Sequence, residues 1–216
     1  MTRSILVLGA TGLVGGEALR LLLDDPAFGR VVVLWRRPLE GVRSAKLQQV
    51  VVELDRMAER AGAFAVDKVL CALGTTIRVA GSQAAFRRVD QEYPLEAARL
   101  ALAGGATHYL LVSAMGANAT SRVFYNRVKG EVERDLRALP FRSVTIARPS
   151  LLLGERAERR LGEEVAKKLG WMIPGKYRPI QARDVAAALV RAAREDLPGV
   201  RVIESPALRA MARGGG

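Results

Sequence analysis

A short apolar run leads directly into a glycine-rich turn near the start of the chain. Ile5 to Leu8 are all apolar, which predicts a parallel strand buried on both faces. Gly9, Gly12 and Gly15 follow as Gly-x-x-Gly-x-x-Gly, before a stretch with helical spacing. Such glycines allow a tight turn, the close approach of a pyrophosphate, and close packing of helix on strand. An ordinary strand-to-helix turn could use the same residues, but the position straight after an N-terminal strand favours a dinucleotide site. Its predicted contacts are Gly9, Thr11, Gly12, Leu13, Val14 and Gly15.

Length and composition limit the possible classes of protein. The 216 residues are enough for one α/β domain with a substantial core, and half of them are hydrophobic. No apolar run approaches the roughly 18 to 20 residues that span a bilayer, and no secretory signal is evident. Cys71 is the only cysteine and His108 the only histidine. These counts exclude an internal disulfide, argue against an ordinary zinc site, and favour a cytoplasmic location.

The formal charge of +12 raises the possibility of a nucleic-acid partner. The basic residues are mostly scattered arginines, without a dense run or a basic stripe interleaved with aromatic residues. We therefore favour a basic surface that also attracts a phosphorylated cofactor, and expect no specific nucleic-acid partner.

Apolar runs and helical stretches alternate along the chain, which predicts a doubly wound parallel sheet of the Rossmann type, an α/β fold. The predicted helices cover about 13–23, 82–103 with a bend near 89–93, 122–139, and 184–193. The further predicted strands are 31–35, 48–54, 66–73, 107–113, 143–147 and 200–204.

Arginines follow the second predicted strand, where an NAD-binding protein usually has an acidic residue. Arg36 and Arg37 can pair with the 2′-phosphate of NADP, so NADP(H) is favoured over NAD(H), although two solvated surface arginines are the alternative. Small or hydroxylated residues at other strand ends suit a bound cofactor, and suit an ordinary turn equally well. The further predicted cofactor contacts are Leu54 and Asp55, near the adenine, and Leu73, Gly74 and Thr75.

The most specific pattern is a serine at a strand end followed twelve residues later by Tyr-x-x-x-Lys. Tyr125 and Lys129 lie one turn apart on a predicted helix, so the ammonium can lower the pKa of the phenol. Tyr125 is then the predicted proton carrier, and Ser113 is predicted to hydrogen-bond the substrate oxygen. A chance Tyr-x-x-x-Lys pair is common, but its combination with the glycine loop makes chance the weaker interpretation.

Together these motifs resemble the short-chain dehydrogenase/reductase superfamily in its atypical branch, and more narrowly the Tat-interacting-protein oxidoreductase-like group. The resemblance covers residues 5 to about 204. The narrower resemblance is carried by Cys71-Ala-Leu-Gly-Thr-Thr76, Val89-Asp90, Ser113-Ala-Met-Gly-Ala117, Val128-Lys-Gly-Glu-Val-Glu133 and Arg148-Pro-Ser-Leu-Leu-Leu-Gly-Glu-Arg156.

The resemblance implies a Rossmann-type fold, NADP(H) bound through the glycine loop and Arg36, and a Ser113, Tyr125 and Lys129 triad. Lys129 would also orient the nicotinamide ribose. The resemblance places Pro149 and Leu151, with Leu152, beside the nicotinamide. Leu73-Gly74-Thr75 stands where better-known dehydrogenases have Asn-Asn-Ala-Gly, so their relay through an asparagine is not implied.

We predict one domain over 1–216, with 155–178 as a small lid over the substrate; Trp171 and Met172 would pack within it. The predicted function is an NADP(H)-dependent oxidoreductase acting on a small carbonyl or alcohol substrate. The alternatives are a non-catalytic NADP(H)-binding sensor and a sugar-nucleotide epimerase, although epimerases usually carry a larger C-terminal domain. Oligomeric state and substrate identity stay open.

Overall fold

The computed structural model describes residues 2–36, 41–153 and 177–214. Its centre is a seven-stranded sheet in the order β3-β2-β1-β4-β5-β6-β9, and all of its neighbouring strands are parallel. Two short strands, β7 and β8, form a separate parallel pair. The strands are β1 (Arg3–Leu8), β2 (Phe28–Trp35), β3 (Leu47–Val51), β4 (Lys68–Cys71), β5 (His108–Val112), β6 (Ser143–Arg148), β7 (Leu152–Leu153), β8 (Ile180–Gln181) and β9 (Gly199–Glu204).

The strand order confirms the predicted doubly wound Rossmann-type sheet. The chain first moves outward from β1 to β3 and then returns to add β4 on the other side of β1. This reversal leaves a crevice beyond the carboxyl ends of β1 and β4, where ligands of such sheets bind. The helices are α1 (Leu13–Asp24), α2 (Ile77–Ala80), α3 (Gln83–Arg87), α4 (Tyr93–Ala103), α5 (Phe124–Arg137), α6 (Ala182–Glu195) and α7 (Ser205–Arg213), with a 3-10 segment at Leu54–Phe64 and a π-helical turn at Arg88–Glu92.

Two hydrophobic layers bury the sheet because successive side chains of each strand point to opposite faces. Ile5 and Val7 of β1 pack in one layer with α1 and α6, and Leu6 and Leu8 pack in the other. The second layer includes α4, α5 and the 3-10 segment. Coverage on both faces explains why the strands read as continuous apolar runs in the sequence.

Several predicted boundaries need correction. Strand β3 ends at Val51, and Leu54 begins the 3-10 segment because it packs against the second layer instead of extending the sheet. Helix α6 begins at Ala182, two residues before the predicted start at 184, and Gln181 holds its cap position. The C-terminal stretch forms α7, whose Leu208 is buried. The predicted lid lies almost entirely outside the described residues, as do Arg37, Trp171 and Met172.

A buried charge cluster lies at the amino ends of β4 and β5, opposite the carboxyl-end crevice. The Asp196 carboxylate contacts the Lys68 ammonium at 2.7 Å, Nδ1 of His108 at 3.0 Å and the Arg142 guanidinium at 2.6 Å. Nε2 of His108 lies 2.9 Å from the Thr145 hydroxyl. Burial, together with Lys68, lowers the pKa of His108 to about 4 despite the nearby carboxylate. His108 is thus held inside the fold, away from the candidate site.

Within the described residues, the helices are too short or too polar to cross a membrane.

Candidate functional site

The predicted site residues meet at one edge because they follow the carboxyl ends of adjacent parallel strands. Gly9 follows β1, Arg36 follows β2, and Leu73 to Thr75 follow β4. Ser113 follows β5, and Pro149 follows β6. This placement puts them around the crevice at the reversal of strand order.

The glycine loop has the geometry of a phosphate cradle. Gly9 has a φ of +79°, and a Cβ there would lie 2.5 Å from the Ala72 carbonyl oxygen, so a side chain is excluded. A Cβ on Gly15 would lie 2.2 Å from the Gly9 carbonyl oxygen, which explains the close approach of α1 to the turn. Gly12 is exposed at the helix start, which has neither a side-chain cap nor an acidic residue in its first turn. These features fit an anionic pyrophosphate.

The side chains of the other loop residues differ in exposure, and some face solvent while others face the core. Thr11 is exposed, Leu13 is half-buried, and Val14 is buried on the core side of the first turn of α1. Only their backbone groups and the exposed Thr11 side chain are therefore placed to meet a ligand. Arg36 is exposed at the end of β2, as expected of a residue that would meet a cofactor phosphate.

Residues beside the predicted adenine position form a polar group between the 3-10 segment and α4. The exposed Asp55 carboxylate contacts the Arg88 guanidinium at 2.6 Å and accepts a hydrogen bond from the Tyr93 hydroxyl. Burial and the Asp55 carboxylate raise the pKa of Tyr93 to about 12. Leu54 is half-buried next to Asp55 and contributes to the second core layer. The predicted adenine contact of Asp55 stays a prediction.

Tyr125 and Lys129 lie on successive turns of α5, as the sequence predicts. The half-buried Tyr125 packs its ring against that of Phe86 at 5.6 Å between centroids. Burial raises the pKa of the Tyr125 phenol; the Lys129 ammonium opposes this shift and the Asp90 carboxylate adds to it. Lys129 thus acts on the pKa of Tyr125 in the predicted direction, and burial outweighs it.

The charge of Lys129 is balanced by Asp90, a residue whose role sequence reasoning missed. Nζ of Lys129 lies 2.7 Å from Oδ1 of Asp90, and both side chains are almost fully buried. The other oxygen of Asp90 accepts the backbone N–H of Thr75 at 2.9 Å. Asp90 lies in the π-helical turn, and such turns are frequent at functional sites. The signal in the sequence was an acidic residue inside the predicted bend at 89–93.

Ser113 contacts a different residue of α5. Its hydroxyl donates to Oε1 of Glu133 at 2.5 Å, and Glu133 is fully buried. Glu133 also accepts hydrogen bonds from Arg148 at 2.9 and 2.6 Å and from Arg137 at 2.9 Å. It lies two helical turns from Tyr125, about 12 Å along the axis. The structure thus brings Tyr125 and Lys129 together and engages the Ser113 hydroxyl elsewhere; its predicted contact with substrate stays a prediction.

The segment after β6 closes the edge of the site. Pro149 is buried, and its carbonyl accepts the N–H of Met115 at 2.9 Å, which joins this segment to the loop after β5. The Leu151 side chain is exposed, while its carbonyl accepts the N–H of Ile180 at 2.9 Å. Leu152 pairs with Ile180 in the short second sheet. Contacts of Pro149 and Leu151 with a nicotinamide stay predictions.

Comparison with solved structures supports the class of protein that the fold and glycine loop define. An oxidoreductase of the short-chain dehydrogenase/reductase family from Burkholderia thailandensis is similar with a TM-score of 0.72 and 21% identity, covering 97% of this chain and 94% of that one. MoeE5, solved with UDP-glucose and NAD, is similar with a TM-score of 0.72 and 14% identity, covering 98% and 81%. The chain therefore has a Rossmann-type α/β fold, which it shares with these proteins.

Sequence comparison defines the family more narrowly. Protein HTATIP2 of Rattus norvegicus is 39% identical over 178 residues, which are 81% of this chain and 73% of that protein. The mitochondrial protein FMP52 of Candida albicans is 35% identical over 206 residues, covering 91% and 90%. No protein-family model matches the chain. At these identities and coverages, the chain belongs to the family of the HTATIP2 and FMP52 proteins.

Proposed function

We propose that the protein is an NADP(H)-dependent oxidoreductase that interconverts a carbonyl and an alcohol. The observation that carries this proposal is the placement of Tyr125 and Lys129 on α5 beside the crevice that the glycine loop borders. The presence of NAD in the MoeE5 complex supports a nicotinamide dinucleotide as the ligand of this crevice. Such a cofactor supplies the hydride when bound.

The protein's own residues then bind, orient and move a proton. The N–H groups at the start of α1 would bind the pyrophosphate, and Arg36 would pair with the 2′-phosphate. The hydroxyl of Tyr125 donates its proton to the oxygen of a carbonyl substrate, and in the reverse direction the phenolate of Tyr125 takes the proton of an alcohol. Lys129, held by Asp90, stabilises that phenolate and would hold the ribose.

The proton step is tested by removing one hydroxyl group. Tyr125→Phe should abolish turnover and leave NADPH affinity nearly unchanged, because the ring still packs against Phe86. Tyr109→Phe is the matched control, since it removes a buried hydroxyl that donates to the Pro94 carbonyl at 2.8 Å. A screen of carbonyl substrates with NADPH measures both. Unchanged turnover in Tyr125→Phe would contradict the mechanism.

Cofactor preference is tested by titrating NADPH and NADH and following the binding heat. The wild type should bind NADPH more tightly, and Arg36→Ala should lose about tenfold or more of that affinity, because a charge-assisted hydrogen bond is removed. NADH affinity should change little. Arg20→Ala is the control, since Arg20 is an exposed arginine of α1 that pairs with Glu17. Equal loss in both variants would indicate a general effect of surface charge.

A non-catalytic NADP(H)-binding sensor is the second candidate function. One observation favours it: the Ser113 hydroxyl donates to the buried Glu133 and is thereby engaged within the protein. An enzyme that uses Ser113 to bind the substrate oxygen should lose turnover in Ser113→Ala. Tight NADPH binding with no turnover of any carbonyl in the screen would favour the sensor.

The partner in this proposal is a small carbonyl or alcohol, without a specific nucleic acid. If the protein binds DNA weakly and the affinity falls steeply with added salt, the +12 charge causes only nonspecific attraction to DNA. The predicted location is cytoplasmic, whereas the FMP52 relatives carry "mitochondrial" in their names. Localising a tagged full-length protein distinguishes the two compartments.

A further inference from the structure

A buried ion pair connects three elements at the candidate site. Asp90 belongs to the π-helical turn before α4, Lys129 belongs to α5, and Thr75 lies in the loop after β4. One carboxylate oxygen of Asp90 contacts Nζ of Lys129 at 2.7 Å, and the other accepts the Thr75 N–H at 2.9 Å. The exposed fractions of the Lys129 and Asp90 side chains are only 5% and 1%. Solvent therefore screens this pair little.

The loop after β4 approaches the pair closely enough for the pair to set its position. A Cβ on Gly74 would lie 3.6 Å from Oδ1 of Asp90 and 3.9 Å from Nζ of Lys129. Gly74 and Thr75 are predicted cofactor contacts, so the same carboxylate holds the lysine and one wall of the crevice. A neutral acceptor would hold the lysine less strongly, because charge-assisted hydrogen bonds are the stronger ones.

The titratable groups around this pair are few among the described residues. Tyr125 lies on α5 and interacts with both charges. Cys71 of β4 is fully buried, and burial raises the pKa of its thiol. Tyr109 of β5 lies next to that thiol, and burial raises the pKa of its phenol as well. Cys71 and Tyr109 are thus uncharged at neutral pH, which leaves Asp90 as the anion that opposes Lys129.

The consequence for Tyr125 follows from the balance of the two charges. A lysine alone would favour the phenolate, whereas a lysine paired with a carboxylate presents almost no net charge. Burial lowers the pKa of Lys129, whereas the Asp90 carboxylate, together with Tyr125 and Cys71, raises it, and the net shift is upward. The ammonium therefore stays charged, and the phenol keeps its proton until a substrate takes it.

We propose that Asp90 is a positioning residue that fixes Lys129 against the loop after β4 and offsets its charge beside the Tyr125 hydroxyl. This inference deepens the proposed oxidoreductase function and rests on it for the role of Tyr125 as proton carrier. The ionisation of Tyr125 can be measured without cofactor or substrate.

The test is an ultraviolet titration of the phenolate of Tyr125. The signal of Tyr125 is the difference between each protein and the same protein carrying Tyr125→Phe. In Asp90→Asn the pKa of Tyr125 should fall by about one pH unit or more, because Lys129 loses the opposing anion. Asp90→Glu keeps the charge and should titrate like the wild type. Asp135→Asn is the matched control: Asp135 contacts Gln91 at 3.3 Å across the same pair of elements without touching Lys129.

Circular dichroism shows whether each variant is folded at the pH of the titration. If Asp90→Asn fails to fold because Lys129 is left unpaired, the same substitution is made in a Lys129→Met background, where no buried cation remains. The pKa of Tyr125 should then be lower in the double variant than in Lys129→Met alone. An unmoved titration in the folded variants, or an equal shift in Asp135→Asn, overturns the role of Asp90.

Turnover separates this inference from the proposed function. If the titration moves as expected and the wild type reduces carbonyls with NADPH, the alkaline limit of reduction should move to lower pH in Asp90→Asn by the same amount as the titration. If the titration moves and no carbonyl is reduced, the charge balance stands and the hydride-transfer function fails.

Discussion

Glu133 provides the sharpest test of the electrostatics beneath the candidate site. Its side chain is fully buried and accepts hydrogen bonds from Ser113, Arg137 and Arg148. Arg148 also pairs with Glu204 at 3.1 Å, and that carboxylate is 51% exposed. Arg148 thus contacts one buried and one exposed carboxylate. Substituting each carboxylate in turn compares the stability that a buried and an exposed partner of the same arginine contribute.

Replacing Glu133 with Gln should be much more destabilising than replacing Glu204. Loss of one partner of a buried ion pair typically costs about 3 to 5 kcal/mol. Arg148 and Arg137 keep some exposure, and a glutamine retains one acceptor for Ser113, so we expect about 2 to 3 kcal/mol for Glu133→Gln. Solvent screens the exposed pair, and Glu204→Gln should therefore cost less than about 1 kcal/mol.

Urea denaturation followed by circular dichroism measures both values. In thermal unfolding, the loss in Glu133→Gln corresponds to a fall in Tm of roughly 5 to 10 °C for a chain of this size. If both variants lose the same stability, the buried network contributes no more than an exposed ion pair, and the reasoning from burial is wrong. The m-value should stay constant, since neither substitution changes the surface exposed on unfolding.

Two further predictions concern the glycine loop and the only histidine. Gly15→Ala should lower NADPH affinity at least about tenfold, because its Cβ would lie 2.2 Å from the Gly9 carbonyl oxygen. Gly62→Ala is the control and should bind NADPH normally, since no atom lies within 4 Å of its Cβ. Binding calorimetry compares the two variants, and normal binding in Gly15→Ala would contradict the phosphate cradle. The pKa of His108 is about 4 in the fold and 6.5 ordinarily, so the unfolded chain binds a proton at higher pH than the folded chain does. The free energy of unfolding should therefore fall by about 2 kcal/mol between pH 7 and pH 5. Denaturant titrations across this range measure that pH dependence, which should be absent in His108→Gln.

The sheet could be predicted from the sequence because burial on both faces leaves a local signal. The inner strands β1, β2, β4 and β5 carry buried apolar runs, whereas the edge strands β3 and β9 are more exposed and contain polar residues. The predicted fold class is a doubly wound sheet, and the structure supplies its strand order. The limits of β3 were less predictable, because Val52 and Leu54 are apolar for a different reason: they pack against the second core layer from outside the strand.

Only one of the two buried rows of side chains on helix α5 could be predicted from the sequence. Phe124, Val128, Val132 and Leu136 recur at four-residue spacing, which predicts a core-facing stripe; the last three are buried and Phe124 is half-buried. A second row with the same four-residue spacing runs beside them through Tyr125, Lys129, Glu133 and Arg137, and its two middle members are buried as well. The sequence shows this row, but charged residues at such spacing usually lie on a solvated face. Their burial is made favourable by Asp90, which pairs with Lys129, and by Arg148, Arg137 and Ser113, which hydrogen-bond Glu133.

The contact between Asp90 and Lys129 could not be predicted from local sequence patterns. Lys129 belongs to another helix, and the spacing between the two residues in the chain carries no periodic signal. The sequence did predict a bend at 89–93, and the π-helical turn there is what positions an acidic side chain toward α5 and the loop after β4. From the sequence, Lys129 appears as a free cation that would lower the pKa of Tyr125. In the fold it is half of a buried ion pair with Asp90, so the electrostatic environment of Tyr125 depends on this third residue as well as on the Tyr-x-x-x-Lys spacing.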